Sequence, residues 1–239
     1  MKRALITGGS GGIGAAVCQQ LAADGCHVIV HANRNRARAQ HVCENILARG
    51  GNAQVAVFDI TDSATTRAAL DGLNAQGTIQ ILVNNAGMHD DAIFPGMTAQ
   101  QWHEVINVNL HGFFNVTQAL TLPMIRTRWG RIITISSVAG LMGNRGQVNY
   151  SAAKGALHSA TKALSLELAS RGITVNAVAP GIIATEMGAR AFDDKTVQAL
   201  VPMKRVGHPK EVAHLVAFLA SEQAAYISGQ VISINGGMV

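Results

Sequence analysis

Thr7-Gly8-Gly9-Ser10-Gly11-Gly12-Ile13-Gly14 follows a short apolar run, Ala4-Leu5-Ile6, and opens a helix-length segment. A glycine-rich turn set between a strand and a helix is the context in which such a loop carries chemistry. Two patterns fit. Gly9, Gly11 and Gly14 spell G-x-G-x-x-G, and Gly8, Gly12 and Gly14 spell T-G-x-x-x-G-x-G. In either case backbone without side chains can approach a pyrophosphate, whose charge the helix N-terminus faces. The same residues also suit a tight turn that binds nothing, so the surrounding chain has to decide.

Outward from the turn, apolar runs alternate with amphipathic segments. The strand candidates are Ala4-Thr7, His27-Val30, Gln54-Phe58, Ile81-Asn84, Arg131-Ser136, Thr174-Ala179 and Gln230-Asn235. Runs such as Ile132-Ile133-Thr134-Ile135 are apolar without alternation, as strands buried on both faces require. The βαβα pattern predicts an α/β fold, a Rossmann-type doubly wound parallel sheet of about seven strands with helices on both faces. No linker or repeat interrupts it, so residues 1–239 form one domain. The longest irregular stretch runs from Gly181 to Pro209, and its place in a compact domain suggests a lid.

Composition narrows the function. Of the 239 residues, 48% are hydrophobic and 14% charged, which excludes a disordered chain. Cys18, Cys26 and Cys43 have no metal-ligand spacing and read as ordinary thiols of a reducing compartment. No metal site is expected. The first residues lead directly into a strand and no apolar run is of membrane length, so no signal peptide or membrane contact is expected, and the chain is placed in the cytoplasm. The formal charge of +5 suits anionic ligands, a dinucleotide phosphate or an acidic carrier protein. The basic residues are too dispersed for a nucleic-acid footprint.

The strand ends carry the candidate chemistry. A carboxylate about 20 residues past the glycines would hold the ribose hydroxyl of NAD. Here the second strand ends His31-Ala32-Asn33-Arg34-Asn35-Arg36, without a carboxylate and with two guanidinium groups. Arg pairs with a 2′-phosphate, which favours NADP(H). Asp59, in Phe58-Asp59-Ile60-Thr61-Asp62, can reach an adenine amino group, and Asp62 or Thr61 can cap the next helix. Asn84-Asn85-Ala86-Gly87 offers amides that bridge neighbouring backbones and small residues that leave room for a cofactor. Tyr150 and Lys154, four residues apart, share one helix face. A nearby ammonium favours the phenolate and is expected to lower the Tyr pKa toward the working pH.

Taken together, these motifs resemble the short-chain dehydrogenase/reductase family over essentially the whole chain. Thr7-Gly8-x-x-x-Gly12-Ile13-Gly14, Asn84-Asn85-Ala86-Gly87, Ser137, Tyr150-x-x-x-Lys154 and Pro180-Gly181 occur in the family's order and spacing. Within it the chain looks most like the 3-oxoacyl-[acyl-carrier-protein] reductases, through Gly130-Ile135, Gly143-Tyr150, Gly172-Asn176 and Asn235-Met238. The resemblance implies a catalytic tetrad. Tyr150 protonates the ketone oxygen as hydride arrives, Lys154 tunes Tyr150 and binds the nicotinamide ribose, Ser137 orients the carbonyl, and Asn109 holds a water that links Lys154 to solvent. Ser136 and Asn107 are neighbouring decoys with structural roles. The cofactor is implied to lie along Gly8, Gly9, Ser10, Gly11, Gly12, Ile13, Gly14, Asn33, Arg34, Asp59, Ile60, Asn85, Ala86, Gly87, Pro180, Gly181, Ile183 and Thr185, beside Tyr150 and Lys154. Arg128 and Arg171 match positions that dock the acidic carrier protein.

The chain departs from this pattern in two places. These reductases often carry Arg in the glycine turn where this chain has Gly11, and Arg34 is the candidate to replace its charge. The segment Met88-His89-Asp90-Asp91-Ala92-Ile93-Phe94-Pro95-Gly96-Met97 departs from the usual basic pattern at the site mouth, which leaves the acyl group and carrier open. His89 reads as incidental there. The expected activity is NADPH-dependent reduction of a 3-oxoacyl thioester on a carrier protein, in fatty-acid or specialised acyl or polyene synthesis. The alternatives are an acetoacetyl-CoA reductase, another ketone, alcohol or steroid-like dehydrogenase, or a non-catalytic partner subunit. The family implies a homotetramer, or a hetero-oligomer with a related subunit, joined through the helix near Val108-Arg126 and the helix of Tyr150, and through the C-terminal strand.

Overall fold

A computed structural model describes residues 1–185 and 194–239. Seven strands form one sheet: β1 Arg3–Ile6, β2 His27–Ala32, β3 Asn52–Val57, β4 Ile81–Asn84, β5 Gly130–Ile135, β6 Ile173–Pro180 and β7 Val231–Ile234. They lie in the order β3-β2-β1-β4-β5-β6-β7, and every pairing is parallel. All seven expected strands are present, with ends displaced by no more than a few residues.

Alternation within β1 shows how the layers form. Ala4 and Ile6 face one side of the sheet and Leu5 the other, and all three are fully buried. The first side packs on α1 (Gly12–Ala23) and α2 (Arg36–Leu47) through Val17, Leu21, Val42 and Ile46. The C-terminal helix Pro209–Ala220 joins them through Val212, Val216 and Leu219. The second side packs on α3 (Ser63–Ala75), α5 (Gly112–Thr127) and α7 (Val148–Leu168) through Leu70, Leu120, Met124 and Leu168. Each fully buried aliphatic side chain contributes about 1.5–3 kcal/mol. Cys18, Cys26 and Cys43 are free and buried in the first layer or its edge.

Between α3 and α5, α4 (Ala99–Ile106) begins with a reciprocal Thr98–Gln101 cap and runs into a π-turn, Asn107–His111. A short α6 (Ala139–Met142) separates β5 from α7. The region expected to be irregular from Gly181 to Pro209 instead contains a helix, α8 (Asp194–Leu200), whose Val197 packs with Ile182 and Val201. Residues 186–193, the middle of the expected lid, lie outside the described residues. Among the described residues, no helix is long and apolar enough to cross a membrane, and no His, Cys, Asp and Glu cluster is placed to hold a metal.

Candidate active site

A cleft of about 630 Å³ opens at the carboxyl ends of the strands, beside the reversal of strand order between β1 and β4. Crevices at such switch points are where ligands bind in open α/β sheets. The glycine turn forms one wall. Gly8 and Gly12 have φ of 63° and 54°, a left-handed backbone that favours glycine. A Cβ on Gly14 would collide with the Gly8 carbonyl. The operative pattern is therefore Gly8, Gly12 and Gly14. Gly9 packs on Cys18, and Gly11 is extended and caps α1 without a side chain, leaving the first-turn amides to face an anion.

Three side chains hold this turn from behind. Asn85 Nδ2 donates to the carbonyls of Thr7 and Gly8 at 3.0 and 3.1 Å, bridging the ends of β1 and β4 as expected. Thr7 Oγ1 accepts from the Asn85 and Ala86 amides, both at 3.0 Å. His31 was not expected to contribute. Its Nδ1 accepts from the Gly8 amide at 3.1 Å, so its Nε2–H donates to the Phe58 carbonyl at 2.9 Å. Burial pushes its pKa down to about 4, which keeps the imidazole neutral and Nδ1 able to accept.

The cationic group at the turn differs from the expected one. The Arg38 guanidinium lines the cleft, 2.9 Å from where a Cβ on Gly11 would stand. Arg34 and Asn33 are exposed and lie off the cleft wall, and Arg34's charge is felt instead by Asp59. The first turn of α2 carries Arg38 back toward the phosphate loop, while the chain at Arg34 is still turning outward. Asp59 Oδ1 accepts from the amide and hydroxyl of Thr61 at 2.9 and 2.7 Å, which holds its carboxyl below the ordinary range. Asp62, not Thr61, caps α3, accepting from Ala64 and Thr65. Asp59 and Ile60 lie outside the cleft lining, and Ile60 is packed against Gly112.

The opposite wall carries Ser137, Tyr150 and Lys154, three of the four residues of the expected tetrad. Tyr150 and Lys154 lie on the first two turns of α7, and Ser137 follows β5. Lys154 is 4% exposed, donates to the Ile135 carbonyl at 2.9 Å and places Nζ 5.6 Å from the Tyr150 ring centre. Burial drives its pKa down to about 8. The expectation for Tyr150 is overturned: its pKa is raised, not lowered. Burial of the phenol outweighs the hydrogen bond to Ser137, and the Lys154 ammonium is engaged with a backbone carbonyl. A phenol so placed stays protonated at neutral pH and is poised as an acid.

Asn109 sits in the π-turn. Its Nδ2 donates to the Met88 and Val105 carbonyls at 2.7 and 2.8 Å, while its buried Oδ1 has no partner among the described residues. That oxygen and Lys154 Nζ lie 2.7 and 3.2 Å from where a Cβ on Gly87 would be, so glycine there keeps the space beside both open. Of the two decoys, Ser136 also lines the cleft. Ser136 is bonded to His158 and to the Lys154 carbonyl, and Asn107 is exposed. Pro180, Gly181, Ile183 and Thr185 close the cleft after β6, with Thr185 packed over Gly12. Arg128 and Arg171 precede β5 and β6, at the amino ends of these strands and so at the opposite end of the sheet from the cleft, where Arg128 donates to the Ser170 carbonyl at 3.2 Å. Separation in sequence gave no hint that they lie across the sheet from Tyr150.

Residues 2–196 match the family model described as short chain dehydrogenase. The chain belongs to the short chain dehydrogenase family. It is 44% identical to a 3-oxoacyl-[acyl-carrier-protein] reductase FabG of Aggregatibacter actinomycetemcomitans, across 98% of both chains. It is 45% identical to nodulation protein G of Azospirillum brasilense, across 99% of this chain and 98% of that one. Its fold matches a putative gluconate dehydrogenase of Agrobacterium tumefaciens with a TM-score of 0.96 and 31% identity, covering 99% and 95% of the two chains. Short chain dehydrogenases use a nicotinamide cofactor, and the cradle of Gly8, Gly12 and Gly14, with open helix amides, fits its pyrophosphate.

Proposed function

We propose that this short chain dehydrogenase reduces the ketone of a 3-oxoacyl thioester, presented on a carrier protein, with NADPH as hydride donor. The observation that carries the reading is that Tyr150, Ser137 and Lys154 line one cleft beside a pyrophosphate cradle, with the buried Asn109 Oδ1 and Lys154 Nζ both next to Gly87. Similarity to the FabG reductases supports the substrate class. The bound nicotinamide supplies the hydride. Ser137 and Tyr150 present O–H groups to the carbonyl oxygen, on which negative charge builds as the hydride adds. Tyr150 gives up its proton, Lys154 steadies the resulting phenolate, and the open space beside Asn109 Oδ1 suits a water through which the proton is replaced. Arg38 supplies the cation for a 2′-phosphate that Gly11 does not.

Following NADPH absorbance with acetoacetyl-carrier protein, acetoacetyl-CoA and a simple ketone tests the reading. Turnover is expected with the thioesters, faster on the carrier, and absence of turnover with both thioesters would sink it. Since Arg128 and Arg171 lie across the sheet from their own cleft, a carrier docked on them would serve the cleft of another copy. Phe114 and Leu122 on α5 and Leu166 on α7 are exposed apolar residues on the helices expected to join subunits, which supports a homo-oligomer. Buried free thiols accord with a cytoplasmic location.

The glycine cradle gives a separate expectation. Gly14→Ala must shift the Gly8 carbonyl or the Asn85 amide, so dinucleotide affinity, read by fluorescence titration, should fall by roughly ten- to a hundredfold. Unchanged affinity would show that the cradle does not bind the pyrophosphate.

A further inference from the structure

We propose that His31 is a positioning residue for the dinucleotide: its ring nitrogen holds the Gly8 amide and keeps the glycine turn in its cofactor-binding shape before the cofactor arrives. The inference rests on the cofactor site proposed above and extends it to a residue that does not line the cleft. Both leading amides of the turn end on this one residue. Gly8 N–H donates to His31 Nδ1 at 3.1 Å, and Gly9 N–H donates to the His31 carbonyl at 2.9 Å. The two ring nitrogens cannot exchange roles. The Gly8 amide can only donate and the Phe58 carbonyl, 2.9 Å from Nε2, can only accept, so Nδ1 is the bare nitrogen and Nε2 carries the proton. The imidazole is 1% exposed and lies tilted against the Phe58 ring, with centres 4.3 Å apart, so packing fixes it as well.

Glycine chemistry explains why the turn needs such a clamp. At φ of 63°, Gly8 occupies a backbone region that glycine leaves as readily as it enters, so the residue itself does not retain the shape. Its carbonyl is held from the β4 side by Asn85 Nδ2 at 3.1 Å, and its amide from the β2 side by His31. The Gly8 carbonyl is also the atom on which Gly14 closes, so the entry of α1 follows the position of this residue. The first-turn amides of α1 face the pyrophosphate from there. Without the imidazole acceptor the Gly8 N–H loses its partner, and the turn relaxes toward conformations in which water replaces it. A cofactor then has to restore the turn as it binds, and its apparent affinity falls by the fraction of molecules still competent. Ser137, Tyr150 and Lys154 stand on the opposite wall, so the chemical step is left as it was.

The test titrates wild type, His31→Leu, His31→Phe and His31→Asn with NADPH by fluorescence, and reads kcat and the thermal transition in parallel. Leu and Phe fill the space of the imidazole without an acceptor, whereas the side-chain oxygen of Asn stands near the place of Nδ1. His31→Leu and His31→Phe should weaken NADPH binding about ten- to a hundredfold, the scale of one amide left unpaired. Their kcat at saturating NADPH should stay within about threefold of wild type, the pattern of lost binding rather than lost transition-state stabilisation. His31→Asn should bind NADPH within about threefold of wild type, although its thermal transition falls because part of the imidazole's space is left empty. Affinity then follows the acceptor, and stability follows the packing. Equal losses of affinity in all three variants, or none in any, would overturn the inference, as would a fall in kcat as large as the loss of affinity. Hydrogen exchange in the wild type gives a reading that needs no variant to fold. The Gly8 amide should be protected in the free protein as it is with NADPH, and protection that appears only with NADPH would also overturn the inference. A wild type that binds neither NADPH nor NADH would instead overturn the cofactor site on which the inference rests.

Discussion

Tyr150→Phe is expected to lower kcat/KM for reduction by about 10²- to 10⁴-fold, the usual worth of a positioned general acid. That corresponds to roughly 3–5 kcal/mol of transition-state stabilisation. The ring is retained, so its packing beside His89 and below Lys154 Nζ persists, and cofactor affinity should hold. Only the O–H, which Ser137 engages, is removed. The wild-type pH profile follows from two directions of shift. The Tyr150 phenol is raised and stays protonated through neutrality, whereas Lys154 loses its charge as pH rises through about 8. Reduction should therefore be flat near neutral pH and decline as pH rises through about 8. Steady-state rates from pH 6 to 10 would show this, and turnover left intact in Tyr150→Phe would refute the mechanism.

Arg38→Ala should raise the KM for NADPH about ten- to a hundredfold while leaving the KM for NADH within about threefold, so the cofactor preference collapses. Gly11 leaves room at the turn, and the Arg38 guanidinium fills it. A planar fork of donors suits a phosphate bidentately. Arg38→Asp would go further, since a carboxylate there repels the phosphate and suits a ribose hydroxyl. Arg34→Ala serves as the contrast: Arg34 is exposed and off the cleft wall, so its removal should change the preference little. Parallel titrations with the two cofactors decide the matter. A preference unchanged in Arg38→Ala and lost in Arg34→Ala would return the role to the end of β2.

The central strands were legible because they are largely apolar runs buried on both faces and bounded by turns, while the edge strands β3 and β7 are only partly buried. Ser137 was reached only through the resemblance to the short-chain dehydrogenase/reductase family, whereas Tyr150 and Lys154 were legible because helix periodicity places them on one face. The helix at Asp194–Leu200 was not, since punctuation by Pro and Gly masked a short helical segment. Nor was the clamp of His31 on Gly8, because a lone His in an apolar strand signals nothing until the neighbouring strand and loop are in place.

By itself, the order of glycines, amides, Tyr and Lys determined a doubly wound sheet with a dinucleotide turn and a proton donor facing it, because those features depend on local spacing. Tertiary structure alone decided which of three nearby arginines meets the turn, and it decided that the Tyr150 phenol is raised in pKa rather than lowered. It also set His89 against that phenol and placed Arg128 and Arg171 across the sheet from it. Each of these depends on burial and on distance between elements far apart in the chain, and neither quantity is encoded in the spacing of residues along it.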